Sequence, residues 1–184
     1  MLRRLTLIIA VCLILAGQAQ ARSTGEPWIL VDTAQQALTV MVGNEAREVF
    51  RGISVGRSGA AELRFRGDGQ TPKGSFRIAW VNTKSKFHLF FGLDYPNLNH
   101  AEKAYQADQI DFDTYHQIHH AILRGQTPPQ DTPLGGYIGI HGLGKHNRNI
   151  HKTLNWTEGC IALTDTQIDQ LSRWLGIGTR VVII

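Results

Sequence analysis

Apolar and polar residues alternate through the first third of the chain, and the alternation predicts a meander of three antiparallel strands. Trp28-Ile29-Leu30-Val31 and residues 37–42 flank a polar turn, and Gly43-Asn44 opens a second turn into a strand over 48–55. A glycine-rich polar loop over 57–70 leads to Thr71-Pro72-Lys73-Gly74-Ser75-Phe76. Pro and Gly two residues apart predict a tight turn there, followed by a strand running through Trp80. Residues 87–93 predict a further, aromatic strand.

The β rhythm breaks over 94–136. Within that segment Tyr115, Ile118 and Ile122 fall at helical spacing and predict a helix over 111–124, with Asp111 or Asp113 as N-cap. A Pro/Gly-rich loop over 125–136 follows. Tyr137-Ile138-Gly139-Ile140 then predicts a short strand ending at His141-Gly142. Thr164-Asp165-Thr166-Gln167 has capping-box form, Ile168, Leu171 and Leu175 share one face, and Gly176 supplies a stop. Residues 179–184 predict a closing strand. No repeat and no second domain is visible. The expectation is a single mainly-β domain over 22–184, a sandwich or mixed sheet with one or two helices. The segment 94–136 reads equally as a lid or groove wall and as a surface insertion.

Ahead of the domain, Arg3 and Arg4 precede an apolar run over 5–16, and Ala19-Gln20-Ala21 has the small-x-small form of a cleavage site. Residues 1–21 therefore read as a cleaved signal peptide, which predicts an exported chain with no stable membrane anchor. Cys12 lies mid-run after Val11, which excludes a lipid-modified cysteine. The formal charge of +4 counts Arg3 and Arg4, so +2 remains after cleavage. That balance, without a basic stripe interleaved with aromatics, argues against nucleic acid as a partner.

Cleavage leaves Cys160 as the one cysteine, with no internal disulfide partner in an oxidising compartment. An inert buried thiol, an intermolecular link and a nucleophile are the alternatives, and the flanking residues favour the nucleophile. Gly159 permits a tight turn beside the thiol, and its N–H is a candidate oxyanion donor. His141, at the end of an apolar strand and followed by Gly142, is the candidate base. The polar stretch between them, with His146, Arg148 and His151, reads as a surface loop. His116 and His120 lie four apart on the predicted helix, but no Glu follows His116 as a metalloprotease helix requires, so a solvated face is the better reading.

His141, fifteen residues, and then Thr157-Glu158-Gly159-Cys160-Ile161 resembles the signature of the L,D-transpeptidase catalytic (YkuD-like) domain. The strand meander, the Thr-Pro-Lys-Gly turn and Ile140-His141-Gly142 occur in the order of that family, and Trp-Thr-x-Gly-Cys-Ile-Ala is similar to one of its branches. The resemblance covers about 28–184. Two positions depart from the pattern: Glu158, often His, and Ala162, often Arg or Asn. Glu158 is expected to face solvent or to pair with a base.

The resemblance implies an exported, periplasmic cysteine acyltransferase acting on peptidoglycan stem peptides. Cys160 would form a thioester at the L-centre of diaminopimelate and pass it to an amine of another stem or of a wall-attached protein. It implies His141 as general base, the Gly142 backbone as the group orienting it, Gly159 as oxyanion donor, and Thr157, Trp156, Arg148 and His146 near substrate, with Thr157 also supporting the loop. No cofactor and no metal is implied. Hydrolysis by the same dyad, or a non-catalytic wall- or metal-binding module, are the competing functions.

Overall fold

The computed structural model describes residues 25–184; the export segment read over 1–21, with Cys12, lies outside the described residues. The alternating pattern produces strands with one buried face. β1 (Pro27–Asp32) turns Ile29 and Val31 inward and β2 (Ala37–Val42) turns Leu38 and Val40 inward, in antiparallel register. β3 (Glu45–Arg51) is an edge strand, mostly charged outside with Phe50 in the core, a pattern that blunts edge pairing. The third strand starts three residues earlier than the alternation predicts and stops at Gly52, whose φ of +70° turns the chain away.

After β4 (Ala60–Ala61) and β5 (Thr71–Pro72), which form a small parallel pair, the chain enters β6 (Gly74–Ser85) and returns along β7 (His88–Leu93). β8 (Gly139–His141), β9 (Ile161–Ala162) and β10 (Arg180–Ile183) complete an eight-stranded mixed sheet of order β3-β2-β1-β10-β6-β7-β8-β9. The long β6 joins its halves, pairing with β10 at its start and with β7 further along. The chain beyond β3 then reaches the far edge of the sheet: Ser54 N–H donates to the Ala162 carbonyl at 2.9 Å, and Ala162 N–H donates back at 2.8 Å. The sheet thus closes on a core that includes Phe76, Tyr95, Ile140, Ile161 and Leu163.

The mainly-β class holds, with four α-helices among the described residues rather than one or two. α1 (Leu98–Gln106) has no sequence signal of its own because its buried face is His100, Ala101 and Ala104, too small and polar to show a stripe. His100 Nε2 donates to the Lys73 carbonyl at 3.0 Å, tying α1 to the Thr-Pro-Lys-Gly turn. α2 (Phe112–Leu123) is capped by Asp111, one residue from the predicted start. α3 (Arg148–Thr153) is a short helix inside what reads as a loop, capped by Asn147. α4 (Asp165–Leu171) has the full capping box of Thr164 and Gln167, then tightens into a 3₁₀ turn over Ser172–Trp174 before Gly176. No helix among the described residues is long and apolar enough to cross a membrane.

Ser54 clamps the loop that precedes β9. It is fully buried, donates its hydroxyl to the Leu154 carbonyl at 3.2 Å and accepts the Trp156 N–H at 3.1 Å. Ser54→Ala leaves that N–H without its partner, at a cost of about 1–3 kcal/mol. Urea denaturation should therefore show a lower midpoint with an unchanged slope; an unchanged midpoint would mean the clamp contributes nothing.

Candidate active site

β8 and β9 run parallel, with Ile140 opposite Ile161 and His141 opposite Ala162. Side chains alternate between the two faces of a strand, so Cys160, two residues before Ala162, shares a face with His141. Directly opposite His141, the fully buried Ala162 presents only a methyl group. Cys160 is partly buried, and its Sγ donates to the Tyr137 carbonyl at 3.4 Å. Gly139 next door carries no side chain because a Cβ there would meet the Phe91 carbonyl oxygen and the Phe90 ring at 2.5 Å.

His141 is 1% exposed, and its Nδ1 donates to the Gly142 carbonyl at 2.6 Å. That bond fixes the tautomer and leaves Nε2 as the proton acceptor. Phe87 stacks on the ring at 4.3 Å, Phe90 at 5.8 Å, and Trp156 meets it edge-on at 6.0 Å. Burial lowers the His141 pKa to about 4, against the opposing Gly142 bond, and the neighbouring His146, His151 and Lys86 push the same way. Burial pushes the Cys160 thiol up to about 11, while a Gly139 backbone hydrogen bond and the Arg64 charge favour the thiolate. Near neutral pH the pair therefore rests as thiol and neutral imidazole.

Two positioning residues escape sequence reasoning. Phe87, read as the start of a strand, lies in the tight turn between β6 and β7, where Ser85 pairs with His88 at φ +72°. Leaving the strand is what lets its ring reach His141. Asp165, visible in sequence only as part of a capping box, accepts the N–H groups of Leu143 at 2.7 Å and Gly144 at 2.9 Å. It ties the turn after His141 to the start of α4, and a Cβ at Gly142 would lie 2.6 Å from its Oδ1. The signal connecting these segments is tertiary.

The nucleophile loop is held from within and from outside. Thr157 is buried; its hydroxyl donates to the Cys160 carbonyl at 2.7 Å and accepts the Gly159 N–H at 3.2 Å. Thr157 thus supports the loop and has no hydroxyl hydrogen left for a substrate. The same bond corrects the expectation for Gly159, whose N–H is committed to Thr157 and does not stand free as an oxyanion donor. Glycine is needed there for its φ of +125° and because a Cβ would lie 2.6 Å from the Gln70 carbonyl. Asn155 Oδ1 accepts the Val55 N–H at 3.1 Å, and Arg57 N–H donates to the Thr157 carbonyl at 2.8 Å. Glu158 turns outward into an ion pair with Arg57, both exposed, so its carboxylate does not oppose the thiolate from inside the site.

Of the remaining residues expected near substrate, Trp156 and His146 stack on one another at 4.4 Å, and both join the aromatic group around Phe87 and His141. Arg148 stands apart, exposed on the first turn of α3. Tyr137, whose carbonyl accepts from the thiol, also lines a cleft of about 450 Å³ together with Arg64, Arg66, Asp131, Gly135 and Glu158, among others. Gln130, Asp131, Gly135 and Gly136, the end of the 94–136 segment, thus form one side of it, while α1 and α2 pack elsewhere. His116 and His120 lie 4.0 Å apart on α2, and the described residues hold no group of three or more His, Cys, Asp or Glu that could bind a metal ion.

The L,D-transpeptidase catalytic domain (YkuD) family matches residues 26–183. No curated protein matches the chain in sequence. Among solved structures, the helical cell shape determining protein Pgp2 of Campylobacter jejuni superposes with a TM-score of 0.56 at 20% identity, over 86% of this chain and 47% of that one. Bd1075 of Bdellovibrio bacteriovorus gives 0.53 at 18%, over 87% and 48%. An L,D-transpeptidase of Xylanimonas cellulosilytica gives 0.51 at 16%, over 89% and 62%. The chain thus spans about half the length of the first two, and these likenesses concern the fold. Its mainly-β architecture is that of these solved structures. The match runs from β1 to β10, and the chain belongs to the L,D-transpeptidase catalytic domain family.

Proposed function

We propose that this protein is an exported, periplasmic cysteine acyltransferase acting on peptidoglycan stem peptides. The observation that carries the reading is the pairing of β8 with β9, which puts a tautomerically fixed imidazole and the thiol on one face of the sheet. His141 Nε2 takes the Sγ proton as sulfur attacks the carbonyl carbon at the L-centre of diaminopimelate. With the Gly159 N–H held by Thr157, the Cys160 N–H is the loop donor assigned to the developing oxyanion. Collapse expels the amine of terminal D-alanine, which takes the proton from His141 and leaves a thioester on Cys160. An amine of a second stem or of a wall-attached protein then attacks the thioester, gives its proton to His141 and regenerates the thiol; water in that role would give hydrolysis by the same dyad.

The neutral resting pair follows from desolvation, because an imidazolium–thiolate pair would place two charges in a site walled by Phe87, Phe90 and Trp156. Proton transfer is then concerted with attack on the carbonyl, so no standing thiolate is required. Ala162, where a basic residue is common, contributes no charge, and carboxylate recognition must come from elsewhere in the site.

Three measurements test the reading. Cys160→Ala should abolish the conversion of tetrapeptide muropeptides to dimers or tripeptides by mass spectrometry, and His141→Gln should slow it by about 10²–10⁴-fold. Dimers identify transfer and tripeptides hydrolysis, and conversion that survives in Cys160→Ala would overturn the nucleophile. In a Cys12→Ala background, alkylation by iodoacetamide should keep accelerating with pH beyond 9, toward the thiol's value of about 11. A plateau near neutrality would reveal a thiolate–imidazolium pair instead. On the acid side, a neutral base with a pKa near 4 predicts that turnover holds to about pH 5 and falls below it. A fall centred near 6.5 would show an imidazole that burial has not perturbed.

A further inference from the structure

Arg64 is 3% exposed, yet it is not consumed by its own fold. Its Nη2 donates to the Phe65 carbonyl at 2.7 Å and to Asp68 Oδ1 at 3.3 Å, and its guanidinium lies over the Tyr95 ring at 5.9 Å. Its Nε is buried with no partner. Nη1 faces Gly135, on the cleft beside the thiol; a Cβ at that glycine would stand 3.3 Å from Nη1 and cover the guanidinium. The glycine, at φ +75°, keeps this side of the arginine open.

Four charged side chains line the cleft, and two are already answered by ion pairs, Arg64 by Asp68 and Glu158 by Arg57. The other two, Arg66 and Asp131, are exposed and take part in no ion pair among the described residues. They come from segments fastened together by the Arg66 N–H to the Pro133 carbonyl at 2.9 Å. The cleft therefore offers one free cation and one free anion over a buried guanidinium, next to the residue whose carbonyl receives the thiol proton.

A ligand carrying a single charge would satisfy one of these and face repulsion from the other, whereas an α-amino-acid head group carries a carboxylate and an ammonium on one carbon. We propose that this cleft binds a zwitterionic α-amino-acid head group of the acyl donor, with Arg66 and Arg64 toward the carboxylate and Asp131 toward the ammonium. The proposal rests on the function given above, in which the donor residue is diaminopimelate: its side-chain end is such a head group, while its L-centre carbonyl is presented to Cys160. These residues then set specificity for the donor, a role that Ala162 cannot fill from beside the thiol.

Binding is measured by titration calorimetry on the otherwise intact Cys160→Ala protein, so that chemistry plays no part. Three stem tetrapeptides are compared: one with diaminopimelate at the third position, one with its side-chain carboxyl amidated, and one with lysine. The free zwitterion should bind at least tenfold more tightly than either of the others, and this ratio should fall toward one in both Arg66→Gln and Asp131→Asn. Absent binding, equal affinity for the three peptides, or a ratio that survives in either variant would overturn the proposal. Turnover of the same peptides by the wild-type protein is read separately. Selective binding without turnover would leave the cleft's specificity standing and would overturn the acyltransferase reading.

Discussion

The short parallel contact between β8 and β9 is the constraint on which the site depends. Two registered pairs, Ile140 with Ile161 and His141 with Ala162, fix where a base and a thiol nineteen positions apart in sequence meet. Parallel neighbours cannot be joined by a tight hairpin, so a crossover is required, and α3 with its flanking loop supplies it. So small a ladder would not hold by itself. It is gripped on its outer side by residues 54–57, through backbone bonds to Thr157 and Ala162 and through the Ser54 hydroxyl. On its inner side Ile140 and Ile161 sit fully buried in the core.

The same packing sets the electrostatics. Walling His141 with Phe87 and Phe90 removes the water that would stabilise its charged form, and the Gly142 carbonyl supplies the one bond that opposes the loss. The thiol is raised for the same reason. Burial thus favours the neutral form of both the imidazole and the thiol. Glu158, which would upset this balance from inside, is drawn outward by Arg57 from the clamping segment. One stretch of chain therefore both closes the sheet and protects the charge state of the site.

The 94–136 segment has two separate roles. Its helices pack on each other, and His100 of α1 stacks on Phe76 of β6 and secures the Lys73 carbonyl. Its last residues leave that packing to form one side of the cleft next to Cys160. The Thr-Pro-Lys-Gly turn and the nucleophile loop are far apart in sequence, but Gln70, at the entry to the turn, and Gly159 make their backbones neighbours. Glycine at 159 is a packing requirement as much as a turn requirement.

The sequence by itself determined the strands with one apolar face, the capped helices α2 and α4, and the spacing from His141 to Cys160. Each of these is a local pattern: period-two alternation, a side-chain cap on a free N–H, a motif within one stretch of chain. It missed α1, whose buried face of histidine and alanines shows no stripe, and α3, which is short and polar. It also extended the third strand past Gly52, where pairing passes from β2 to the nucleophile loop. Phe87 on His141, Asp165 on the turn after it, the commitment of the Gly159 N–H to Thr157 and the Arg57–Glu158 pair were decided only by tertiary structure. Apart from the Thr157–Gly159 bond, these contacts join segments distant in sequence, and even that bond depends on a loop shape imposed from outside. Short-range preference chooses the elements, whereas the partner of a given N–H or ring is chosen by which other chain segment excludes water from it.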